Sequence, residues 1–110
     1  MSKDFPESDW KILRALHKVA LDRYCEQVLK DCAAVMRDEG KSHHERYLAL
    51  FKLVRERDGT VAWAFNDLRR STATQRLARI HSLGLLTREE FERFSPQIRD
   101  TTQFLADMLR

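Results

Sequence analysis

Two histidines and a glutamate stand side by side at His43-His44-Glu45, and two cysteines lie seven residues apart at Cys25 and Cys32. These are the residue types that hold metal ions or perform nucleophilic and acid–base chemistry. Their spacing argues against both. Adjacent helical positions point about 100° apart, so His43, His44 and Glu45 do not share a ligand sphere. The chain has neither an H-E-x-x-H pair nor a Glu-x-x-His pair. On one continuous helix Cys25 and Cys32 would share a face but sit roughly 10 Å apart along the axis, too far to bridge. They read as two reduced, buried, small apolar residues, since an activated thiolate needs an electropositive and partly exposed setting.

The carboxylate pairs Asp38-Glu39 and Glu89-Glu90 fall at helix ends, where solvated acids are common, and at an N-terminus Glu89 and Glu90 complement the helix dipole. His17 and His81 are single histidines on amphipathic helices and read as surface or half-buried residues. No G-x-S-x-G elbow, G-x-x-x-x-G-K-[ST] loop or G-x-G-x-x-G fingerprint occurs, and three glycines in 110 residues leave little for a phosphate cradle. The reading is therefore non-enzymatic, with no catalytic residue, no metal site and no cofactor.

Charge is informative in its distribution. The net charge is only +3, with residues 1–67 balanced at 12 basic and 12 acidic. Residues 68–88 carry five Arg and no acid, and residues 89–110 carry three Arg against five acids. Within that anomaly, the stretch Phe65 to Leu86 places a Ser/Thr-capped helix with Gln and Arg on its outer face before Leu-Gly-Leu-Leu. It resembles the recognition helix of winged-helix repressors. The resemblance implies Thr72, Gln75, Arg76 and Arg79 toward a major groove, with Arg69 and Arg70 on phosphates. It covers about a fifth of the chain and departs after Leu86, where Thr87 starts another helix in place of a β-hairpin.

The elements that would position these residues are all helical. A composition of 43% hydrophobic and 34% charged residues, with three Gly and two Pro, suits an all-α fold of one domain over residues 1–110. We expect a compact bundle of about six helices near 9–38, 43–57, 60–70, 72–83, 88–94 and 96–109, and no sheet. Leu13, Leu16, Ala20, Tyr24, Val28, Cys32 and Val35 recur at helical spacing along the first helix, capped by Ser8 or Asp9 and ended by Gly40. Ser42/Glu45 and Thr87/Glu90 stand in the capping-box relation, and Ser95-Pro96 opens the last helix. Tyr47, Leu50, Phe51 and Val54 form the expected core stripe of the second helix, and Asp58-Gly59 its break. Gly84 closes the fourth, with Leu85 making the apolar contact that follows such a glycine.

No apolar run approaches the roughly 20 residues of a membrane span, and the Met-Ser-Lys-Asp N-terminus has no secretory h-region, so a cytoplasmic protein away from membranes is expected. A helix of about 45 Å exceeds a body about 35 Å across, so it should overhang, kink or find a partner. The expected function is a helical interaction or structural module that self-associates, as a homodimer or with a protein partner. Nucleic-acid binding through a helix-turn-helix-like pair at residues 60–83 ranks second, and small-ligand binding third.

Overall fold

The computed structural model describes residues 5–109, and among these every regular element is helical. The reading of the first four residues as free of a secretory segment lies outside them. Five α-helices run in the order α1 (Glu7–Met36), α2 (His43–Phe65), α3 (Ala73–Ser82), α4 (Arg88–Phe91) and α5 (Pro96–Met108), with a single 3₁₀ turn at Arg70–Thr72 before α3. No helix among the described residues is long and apolar enough to cross a membrane.

The all-α class with a long first helix is as expected, but the count falls from six helices to five. Asp58-Gly59 does not break the second helix, which continues to Phe65 and absorbs most of the expected third. A glycine inside a helix costs only about 1 kcal/mol, and burial of Ala64 and Phe65 against α1 and α3 outweighs it. The real break falls at Asp67, whose φ of +60° turns the chain. Its backbone carbonyl accepts a 2.7 Å bond from the Thr72 hydroxyl.

α1 starts after Pro6 rather than at a Ser8 or Asp9 cap, and ends at Met36, short of Gly40. Both capping boxes form: Ser42 Oγ accepts from Glu45 N–H at 3.0 Å, and Thr87 Oγ1 from Glu90 N–H at 3.1 Å. Pro96 is the first residue of α5, as expected. Gly84 takes φ +72° after α3, and Leu85 behind it is buried.

The molecule measures 55 × 25 × 24 Å, with a radius of gyration of 16.7 Å. A compact chain of this length would have about 13 Å. The excess is a two-helix arm, made by the second half of α1 and the first half of α2 running antiparallel. Arg57 meets Asp31 at 2.7 Å along it, and Arg46 donates to the Met36 carbonyl at 2.7 Å near its tip. All the remaining elements gather into a head around the other halves of α1 and α2. One head core joins Leu13, Leu16, Leu77, Phe94 and Ile98, and the other joins Ala20, Tyr24, Phe65, Ile80 and Leu85.

Candidate functional site

The head uses its polar side chains to hold itself together. Asp9, 2% exposed, accepts 2.8 Å bonds from the Ser95 backbone N–H and hydroxyl, clasping the first turn of α1 to the start of α5. Ser95 therefore occupies the N-cap position with its hydroxyl donating to Asp9. Glu90, expected to be a solvated helix-end acid, forms a two-pronged pair with Arg23 at 2.6 and 2.9 Å, while Arg23 also donates to the Leu85 carbonyl at 2.8 Å. The Arg23 hydrogen bond holds the Glu90 carboxyl well below its ordinary 4.5, at about 2; partial burial opposes the shift and the Thr87 N–H adds to it. The short-range sequence signal for Glu90 was its capping box, and nothing local announced a partner 67 residues away.

His17 and His81 are half-buried, as read. The His17 Nε2–H donates to the Phe65 carbonyl at 2.9 Å, and its ring meets Phe65 edge-on at 5.3 Å. His81 stacks on Phe91 with centroids 4.0 Å apart and bonds Gln103 Oε1 at 2.9 Å. No group of three metal-ligating side chains gathers among the described residues.

The six residues drawn from the acid-free stretch lie together on and just before the 3₁₀ turn and on α3, and each of the four arginines donates at least one bond within the chain. Arg69 pairs with Asp67 at 2.8 Å. Arg70 meets Glu7 at 2.8 Å and the Phe5 carbonyl at 2.7 Å. The Thr72 hydroxyl serves the backbone of Asp67 and Arg69. Arg76 donates to the Asn66 carbonyl at 2.7 Å and Arg79 to the Trp63 carbonyl at 2.9 Å, with the Arg79 guanidinium 5.0 Å over the Trp63 ring. Gln75 is exposed. Arg76, Arg79 and His17 thus cover carbonyls at the C-terminus of α2, the negative end of its dipole, where helices leave acceptors unsatisfied.

The arm is the opposite case. Its inner seam is thin: Val28, Val35, Leu50 and Leu53 are half-buried, and Cys32 is buried. Of the expected core stripe of the second helix only Leu50 is half-buried; Tyr47 at 64%, Phe51 at 54% and Val54 at 46% are exposed. The apolar pattern of α2 is wide enough for two faces, and the side with half-buried Leu50, Leu53 and Val61 and buried Ala64 took α1. On α1, Leu29 at 68% and Met36 at 57% are exposed too.

Cys25 is exposed, against the expectation that both thiols are buried. The two cysteines do share an angular position, but the burial stripe through Ala20, Tyr24, Val28 and Cys32 advances every four residues and drifts around the helix. At the level of Cys25 the stripe has not yet reached that angle; at Cys32 it has.

Cys25, Leu29, Val54, Asp58 and Val61 line a shallow interhelical groove of about 230 Å³. That is smaller than the roughly 300–1,000 Å³ of small-molecule sites. Two larger depressions are each lined by one helix alone, Asp22 to Ala33 on α1 and Phe51 to Glu56 on α2, so neither has a second wall. The arrangement suits contact with another surface, through apolar side chains and a groove between them. The chain matches no family model, no curated protein and no solved structure.

Proposed function

We propose that the chain is a non-enzymatic interaction module whose working surface is the apolar face of the α1–α2 arm, and that it self-associates through that face. The observation that carries this reading is the exposure of Leu29, Met36, Tyr47, Leu48, Phe51 and Val54 on a projecting hairpin that no other element covers among the described residues. Apolar side chains exposed together over more than a few hundred Å² usually mark an interaction site. Nucleic-acid binding ranks lower, because Arg69, Arg70, Arg76 and Arg79 already donate to groups within the chain.

Sedimentation or light scattering across a concentration series tests the reading. We expect a reversible dimer, and Phe51→Glu should weaken it at least about thirtyfold, the effect of losing a central aromatic anchor, while far-ultraviolet helicity stays unchanged. A monomer at all concentrations, or a dimer indifferent to Phe51→Glu, would overturn it. A shift assay with duplex DNA decides the alternative: binding below micromolar at physiological salt by a monomeric chain would move the site to α3.

A further inference from the structure

Resting on that reading, we infer that self-association is controlled by pH through His43 and His44, which proton uptake turns from neutral neighbours of the apolar face into two positive charges at its tip end. The geometry starts at Arg46. Its Nη1 donates to the Met36 carbonyl at 2.7 Å, and its Nη2 lies 2.8 Å from His43 Nδ1. A guanidinium has only donors, so Nδ1 accepts, and the His43 ring is neutral with its proton on Nε2. The Nε of Arg46 is enclosed and has no partner among the described residues, so these two bonds hold the guanidinium in place. Met36 is the last residue of α1, where a helix leaves carbonyls unsatisfied, and its side chain belongs to the apolar face. A proton on Nδ1 removes the acceptor and sets two cations against each other. Arg46 then loses His43, and the end of α1 beside Met36 loosens.

Position on the helix ties both rings to the face. His43 stands one turn before Tyr47 and His44 one turn before Leu48, and residues four apart share a side of a helix. All four are exposed. The charges around them leave the change uncompensated. The last turn of α1, Ala33 to Met36, carries no charge; the turn between the helices brings Arg37, Asp38, Glu39 and Lys41, and the start of α2 brings Glu45 and Arg46. These three cations and three acids cancel, so the tip is neutral while both rings are neutral and carries two positive charges per copy once both are protonated. Two of the acids are already engaged, Asp38 with the Gly40 N–H at 3.1 Å and Glu45 with the Ser42 N–H at 2.8 Å. A twofold contact uses the same patch in both copies, so both gain the charge together, and like charges gathered at an interface oppose it. Histidine is the side chain whose ordinary titration crosses the physiological range.

Sedimentation of the intact chain across a concentration series, at about pH 7.5 and about pH 5.5, tests the inference on either side of the histidine range. The dimer should weaken about tenfold between the two, the direction that histidine protonation gives at an interface. The Arg23–Glu90 pair titrates well below this interval and does not contribute. The double variant His43→Gln, His44→Gln keeps an acceptor for Arg46 and gains no charge, so its dimer should change by less than about twofold over the same interval. His17 and His81 remain in that variant, so its indifference to pH assigns the effect to the tip. A wild-type dimer that acid leaves unchanged or strengthens, or a double variant that weakens as much as wild type, would overturn the control by pH and leave self-association standing. A monomer at every concentration and at both pH values would overturn both.

Discussion

The Glu90 carboxylate accepts from an arginine of α1 and from the Thr87 backbone N–H, and the pair gives the head an acid-sensitive tie. Its carboxyl is held at about 2 against an ordinary 4.5, so the folded state favours the charged form. The stabilisation is fully present above the unfolded value and is lost as pH falls from about 4.5 through about 2. Arg23 is 36% exposed, so solvent screening leaves the tie worth about 1 kcal/mol. Urea melts of wild type and Glu90→Gln should differ by that amount at pH 7 and converge near pH 2. Thr102 works in the other direction, being fully buried with a hydroxyl that has no partner among the described residues. Thr102→Val should raise stability by about 1 kcal/mol in the same melts. The cysteines show what residue types leave unsaid: both belong to one helical angle, and only the neighbour packed at each level separates Cys25 from Cys32. Thiol labelling of dilute protein should modify Cys25 rapidly and Cys32 slowly, with Cys25 becoming protected as concentration rises.

Caps and turns were the most legible features of the elements, because a capping box is satisfied within four residues and answers to nothing distant. Ser42/Glu45, Thr87/Glu90, Pro96 and Gly84 all stand where local chemistry put them. The break expected at Gly59 failed because packing further along α2 decides the matter. The candidate site was misread on α2 for a related reason: Tyr47, Phe51 and Val54 have the spacing of a core stripe whether they are covered by the same chain or left outward. Gly59 has open space where a Cβ would stand, so Gly59→Ala should stabilise the protein by about 1 kcal/mol, seen as a raised urea midpoint at an unchanged slope. Arg76→Ala and Arg79→Ala should each cost about 1 kcal/mol by uncovering a carbonyl at the α2 terminus. A loss of DNA binding in either variant has to be read against that loss of stability.

At the scale of the molecule, the mismatch between a helix of about 45 Å and a compact body already implied an overhang, and the 55 Å long axis is that overhang. Which side chains it would leave exposed depended on the path of α2, which no local pattern encodes. If the arm pairs with a second copy, the midpoint of thermal unfolding should rise with protein concentration for the wild type and stay constant for Phe51→Glu. The clasp between Asp9 and Ser95 bears on how the chain is made. It joins residues 86 apart, and the core beside it gathers Leu13 and Leu16 with Ala73, Leu77, Phe94 and Ile98. During synthesis on the ribosome, α1 and α2 emerge early and need only a short turn to meet, whereas the apolar flank around Leu13 is completed only when Phe94 and Ile98 join it. A nascent chain stopped before Ser95 should therefore present that flank to chaperones, and one extended through α5 should release them.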